Sequence, residues 1–152
     1  MNPIPKCRVV LLEDNDAIRL LFSEIFADRG YETFAFSTPA ICPLQLVPEC
    51  RCNVNETCTD MIVSDLDMPQ ITGLNFIENQ KKKNCKCKHV ALVSAKWTEE
   101  DLSLAHQLGC KTFEKPLYFE DFYRWLDEVE RSIEPTRELR NWFLEQCASS
   151  DN

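Results

Sequence analysis

Residues 8–16 read Arg8-Val9-Val10-Leu11-Leu12-Glu13-Asp14-Asn15-Asp16. A short apolar run, the shape of a buried strand, ends abruptly in an acidic stretch. Ala17, Ile18, Leu21, Ile25 and Phe26 then recur at helical spacing until Gly30 stops the helix. The same alternation continues along the chain. Glu32–Ser37 alternates polar and apolar with Phe34 and Phe36 on one face, a strand near an edge. Met61–Ser64 is a buried strand. Gly73–Lys82, with Leu74, Phe76 and Ile77, is a helix. His89–Ser94 is a further apolar strand. Thr98 caps a helix that runs through Leu108 and is stopped by Gly109. Lys111–Glu114 is a short fifth strand, and Phe119–Ile133 is a strongly periodic helix. Five strands alternating with helices predict an α/β protein: a doubly wound, five-stranded parallel sheet covered on both faces.

Composition narrows the function classes. The chain has 152 residues, 44% hydrophobic and 28% charged, which suits one globular domain. No apolar run approaches the ~18 residues of a membrane span, and no signal-peptide pattern precedes Val9. The expectation is a cytoplasmic protein with no membrane contact. Net charge is 17 − 25 = −8, which argues against binding nucleic acid.

In doubly wound sheets the functional crevice lies beyond the carboxyl ends of the strands. That rule gathers Glu13, Asp14, Asp65, Ser94 and Lys115 at one edge. Three carboxylates packed together need raised pKa values or a divalent cation, and hard oxygen ligands suit magnesium. A lysine and a hydroxyl complete a receptacle for a phosphoryl group, with a carboxylate as nucleophile.

Four stretches carry a resemblance: Val9-Val10-Leu11-Leu12-Glu13-Asp14-Asn15; Asp65-Leu66-Asp67-Met68-Pro69 with Gly73-Leu74; Val93-Ser94-Ala95; and Lys115-Pro116. In their order and at these strand ends, the chain resembles the receiver domain of bacterial two-component response regulators over roughly Cys7 to Ile133. The resemblance implies a flavodoxin-like (βα)5 fold with strand order 2-1-3-4-5. It implies that Asp65 is the phosphoacceptor. Asp14, Asp65 and the backbone carbonyl of Asp67 would bind magnesium, with Glu13 acting through a metal-bound water. Ser94 would hydrogen-bond a phosphoryl oxygen, Lys115 would pair with the phosphate, and the Lys115–Pro116 bond would be cis. It further implies a sensor histidine kinase or phosphotransfer protein as phosphoryl donor, a downstream protein partner, and a monomer or weak homodimer.

The sequence departs from the family's pattern in two places. Gly109 to Lys115 spans six positions, one fewer than is usual. Phe113 keeps the usual spacing from the glycine and is therefore taken as the switch aromatic that follows Ser94. Asp67 and Lys96 flank the expected water route, where a salt bridge between them would slow dephosphorylation. Two other functions are weighed. Asp65-Leu66-Asp67 is similar to the nucleophile pair of haloacid-dehalogenase-type phosphatases, but Glu13-Asp14 comes too early and position 69 is proline. A phosphate-independent interaction module, sensing metal or redox state through cysteines, is the other.

Nine cysteines call for their own account. Cys50, Cys52 and Cys58 fall in a loop before the third strand, and Cys85 and Cys87 fall before the fourth. Both loops lie at the amino-terminal edge, opposite Asp65, so the five cysteines can meet. Thiolates from two knuckle-like loops suit tetrahedral zinc; free thiols and a disulfide are the alternatives. Cys42 starts a helix, and Cys7, Cys110 and Cys147 read as small packing residues. Pro39, Pro43 and Pro48 prevent a long second helix. The Lys81-Lys82-Lys83 run reads as a solvated helix end. The domain is expected over 1–133. Leu139, Trp142, Phe143 and Cys147 suggest that 134–152 is a helical tail, too short for an output domain, which makes the expected protein a stand-alone receiver.

Overall fold

A computed structural model describes residues 5–144. The strands are β1 (Arg8–Leu12), β2 (Glu32–Phe36), β3 (Glu56–Thr57), β4 (Met61–Asp65), β5 (His89–Ser94), β6 (Lys111–Glu114) and β7 (Glu138–Leu139). The helices are α1 (Asp16–Asp28), α2 (Pro43–Leu46), α3 (Gly73–Lys82), α4 (Glu99–Gln107) and α5 (Phe119–Ser132). Five strands form one parallel sheet in the order β2-β1-β4-β5-β6. Counting only those five, this is the expected 2-1-3-4-5 order. The short strands β3 and β7 form a separate parallel pair.

The sheet divides the core in two. Val10, Leu12, Ile62, Val90 and Leu92 face α2, α3 and α4. Val9, Leu11, Met61, Val63, Ala91 and Val93 face α1 and α5, where Phe22, Phe26, Phe122 and Trp125 pack. Adjacent strand residues thus serve opposite layers, which is why these strands are apolar throughout rather than alternating.

Local chemistry sets the helix ends. Asn15 caps α1 by accepting from the Ile18 N–H at 3.0 Å, and Thr98 caps α4 by accepting from Asp101 N–H at 3.0 Å. Gly30 and Gly109 both take φ +77 where α1 and α4 end, a conformation that glycine adopts without a Cβ penalty. Asn84 (φ 62) does the same after α3. The prolines act as expected: the second connection has only a three-residue 3-10 turn (Pro39–Ile41) and the four-residue α2. Lys83 is not merely solvated. Its ammonium donates to the carbonyls of Leu44 and Gln45 at 3.1 and 2.8 Å, tying α2 to α3.

The segment after Ile133 differs from the expected single helix. Glu138–Leu139 is a strand, because Asn55 O and Thr57 O accept from Glu138 N–H and Arg140 N–H and draw it alongside the cysteine loop. Residues 142–144 are helical, with Phe143 stacked on Phe34 and Trp142 tilted against it. Cys147 lies outside the described residues.

Candidate functional site

The chain leaves β1 and β4 at the carboxyl edge of the sheet, so Glu13, Asp14 and Asp65 share one place. One oxygen from each lies within 4.8 Å of the others, and among the described residues this is the only trio of potential metal-binding carboxylate, imidazole or thiol groups so arranged. Lys115 enters from the end of β6. Its ammonium is 3.4 Å from Asp65 Oδ1 and 3.7 Å from Glu13 Oε2, and the Lys115–Pro116 bond is cis. Glu13 and Asp65 are 1% and 5% exposed, whereas Asp14 is open to solvent.

Two anchors hold the acidic loop. Arg19 donates through Nη1 to the Glu13 carbonyl at 2.8 Å, and the Asn15 N–H donates to Glu13 Oε1 at 3.2 Å. Neither was marked from sequence, although Arg19 sits one helical turn beyond Asp16, which it also contacts at 2.6 Å. Behind Asp65, α3 starts at Gly73, where nothing larger fits. A Cβ there would meet the Asp65 carbonyl at 2.5 Å and Ser64 Oγ at 2.9 Å.

Burial and mutual repulsion govern the charges. Desolvation pushes the Glu13 carboxyl up to about 7, with the neighbouring Asp65 raising it further and the Asn15 N–H and Lys115 opposing. Desolvation also raises Asp65, against the pull of Lys115 and the Asp67 N–H. One ammonium does not balance three carboxylates. The donors are all hard oxygens with one open side, so they fit a small divalent cation such as magnesium.

Ser94 ends β5 and donates to Asp67 Oδ2 at 2.7 Å, while the Lys96 N–H donates to Ser94 Oγ at 3.1 Å. Asp67 therefore pairs with the serine hydroxyl. The expected Asp67–Lys96 salt bridge is absent among the described residues, and both side chains are exposed. Phe113, the expected switch aromatic, sits on the α1 and α5 side of the sheet. It pairs with Val93 in the sheet and is buried edge-on against Phe122 and Trp125, with ring centroids 5.4 and 6.0 Å away. Ser94, in register with Glu114, lies on the opposite face, the one that Leu92 and Thr112 share. The shortened connection falls ahead of β6, so Lys115 rather than Gly109 sets the strand's register, and one residue of slip inverts the face. On the Ser94 face the aromatic is Trp97. It packs against the α3–α4 layer and donates through Nε1 to the Phe113 carbonyl at 2.9 Å.

At the other edge of the sheet, Cys50, Cys52, Cys58 and Cys85 line one cavity of about 210 Å³. Cys58 lies beside both Cys52 and Cys85, and Cys52 beside Cys50. These contacts hold the Cys52 and Cys85 thiols down at about 7, against the desolvation that opposes them. Cys87 is not part of that lining; its buried thiol donates to the His89 carbonyl at 3.6 Å.

A buried carboxylate, a second acid pair, a lysine and a hydroxyl at the carboxyl edge of a 2-1-3-4-5 parallel sheet make up the kind of site that accepts a phosphoryl group. Residues 9–126 match the response regulator receiver domain, and the chain belongs to that family. Solved structures agree in fold. Chemotaxis protein CheY4 of Vibrio cholerae is 22% identical, with TM-score 0.63 over 81% of this chain and 98% of that one. The non-phosphorylated HemR receiver domain of Leptospira biflexa is 21% identical, with TM-score 0.68 over 88% and 97%. A response regulator receiver protein of Pseudomonas putida is 18% identical, with TM-score 0.67 over 84% and 99%. No curated protein sequence matches the chain. The protein is thus a phosphoacceptor signalling domain of the two-component type, and neither the phosphatase nor the phosphate-independent module gains support. Receiver domains generally bind magnesium in such an acidic pocket. No helix among the described residues is long and apolar enough to cross a membrane.

Proposed function

We propose that Asp65 accepts a phosphoryl group from a phosphohistidine on a sensor kinase or phosphotransfer protein in the cytoplasm. An Asp65 carboxylate oxygen bonds to phosphorus as the phosphorus–nitrogen bond breaks, and the imidazole leaves as the neutral base after taking a proton. The observation that carries this reading is the position of Lys115, whose ammonium lies within 4 Å of both Asp65 and Glu13. It can follow a developing negative charge without reorganising. Magnesium would be held by Asp14, Asp65 and the Asp67 carbonyl, with Glu13 acting through water, and would neutralise charge on the transferring oxygens.

Ser94 holds Asp67 in the unmodified protein. A phosphoryl group on Asp65 adds negative charge and new acceptor oxygens. Ser94 then exchanges Asp67 for a phosphoryl oxygen, and the Lys96–Trp97 segment hydrogen-bonded behind it follows. The surface that changes is that of α4, β6 and the start of α5, where Tyr118, Phe119 and Tyr123 are exposed and available to a downstream protein. The protein acts as a monomer or weak dimer that catalyses only its own phosphorylation and dephosphorylation.

The test is incubation with magnesium and acetyl phosphate. The expected result is at most one phosphoryl per chain, retained on the protein and abolished in Asp65→Asn. Multiple turnover of a general phosphate ester, with no retained phosphoryl, would instead indicate a phosphatase.

A further inference from the structure

We infer that Cys50, Cys52, Cys58 and Cys85 form a tetrathiolate site for one zinc ion at the amino-terminal edge of the sheet, separate from the acidic cluster. The four come from two loops. One precedes β4 and carries Cys50, Cys52 and Cys58; the other precedes β5 and carries Cys85. Adjacent strands β4 and β5 bring the loop ends together. The two loops are also stitched directly, since Cys50 N–H donates to the Lys83 carbonyl at 3.0 Å. All four thiols face the same cavity.

Their connectivity separates a metal from the two other uses of cysteine. Cys7 and Cys110 are packed singly in core layers, as small apolar residues are. The four cavity cysteines are instead linked in sequence, Cys50 to Cys52, Cys52 to Cys58 and Cys58 to Cys85. Using all four in disulfides needs an oxidant and, beside a Cys58–Cys85 bridge, a Cys50–Cys52 bridge across a single intervening residue. A tetrahedral ion with thiolate ligands uses all four.

The sulfurs form an open chain, because no three of them are mutually within 4.8 Å. Closing it asks the Cys50–Cys52 arm to swing into the cavity toward Cys58 and Cys85. That arm has no regular secondary structure before β3. The far side is already fixed: Trp142 Nε1 donates to the Cys58 carbonyl at 2.9 Å. Each thiol releases its proton to solvent as its sulfur coordinates, leaving a net charge of −2 on the zinc tetrathiolate. Arg51, Lys83 and Arg140 line the same cavity and offset that charge.

The test uses the full chain purified under reducing conditions without chelator. Metal analysis should find one zinc per chain. Replacement by cobalt(II) should give the intense visible bands and thiolate charge-transfer absorption of tetrahedral sulfur ligation. Cys58→Ser and Cys85→Ser should each lose at least ten-fold in zinc retention against a chromogenic chelator. Cys42→Ser, Cys87→Ser and Asp65→Asn should retain zinc as wild type does, which separates this site from the phosphoacceptor. Folding of each variant is checked by circular dichroism, and the wild-type cobalt spectrum stands whatever the variants do. Reduced wild-type protein that takes up neither zinc nor cobalt, a cobalt spectrum of octahedral oxygen ligation, or an iron chromophore would overturn the proposal.

Discussion

Glu13 is a carboxylate held in an environment that disfavours its charge. It is buried beside Asp65 with a carboxyl pushed up to about 7 from 4.5. Because the folded value lies above the unfolded one, the group's contribution to stability is full below pH 4.5 and is lost as pH rises toward 7. Metal-free protein should therefore show a Tm that falls through that window relative to Glu13→Gln, and magnesium should remove the difference. Thermal scans of both proteins at several pH values, with and without the ion, check this. Gly73 is constrained by space rather than charge. Gly73→Ala should destabilise the fold by about 1–3 kcal/mol through overpacking and slow phosphorylation, since the added carbon presses on the Asp65 carbonyl. Denaturant unfolding and the labelling rate report the two effects separately.

Among the elements, β6 shows what sequence spacing could and could not settle. The five main strands and four long helices were legible because apolar runs and helical periodicity are strong, and the stops at Gly30 and Gly109 are local. Asp65, Ser94 and Lys115 were legible because each follows or ends a strand, and the carboxyl-edge rule gathers them. The face that Phe113 takes was not legible, because its distance from Gly109 runs through the connection ahead of β6, whereas the sheet pairs β6 with β5. The hydrogen bond between Ser94 and Asp67 was hidden for a different reason: it joins a buried serine at the end of β5 to an exposed loop carboxylate through rotamers that spacing does not fix. This geometry makes Trp97 the reporter of Ser94. Beryllofluoride with magnesium should change tryptophan emission, and Trp97→Phe should abolish that change while leaving Trp125 and Trp142 in place. An unaltered response in Trp97→Phe would place the moving aromatic elsewhere.

For the whole molecule, the segment after α5 belongs to the fold rather than hanging from it. Arg137 makes a two-pronged contact with buried Asp60, at 2.8 and 2.6 Å, and Asp60 also accepts from the Arg8 N–H at 2.8 Å. Arg8 is buried in β1, donates to the Arg140 carbonyl at 2.7 Å, pairs with Glu32, and lies over the rings of Phe34 and Phe143. None of this could be read from the chain, because Arg137 to Asp60 and Arg8 to Arg140 join residues 77 and 132 positions apart and the composition of 134–144 fits a helix as well as a strap. Removing the Arg137 side chain leaves a buried carboxylate without its partner. Arg137→Ala should cost about 3 kcal/mol in chemical unfolding, with little effect on phosphoryl transfer at the opposite edge. A cost no larger than that of an exposed pair would mean the strap is dispensable.

The central claim is that one side chain, Asp65, carries the phosphoryl group. Its most direct test is to phosphorylate the protein with acetyl phosphate and magnesium, reduce the acyl phosphate with borohydride, and map the peptides by mass spectrometry. The account predicts conversion to homoserine at position 65 alone. Conversion at Glu13, Asp14 or Asp67 instead, or no conversion anywhere, would contradict it.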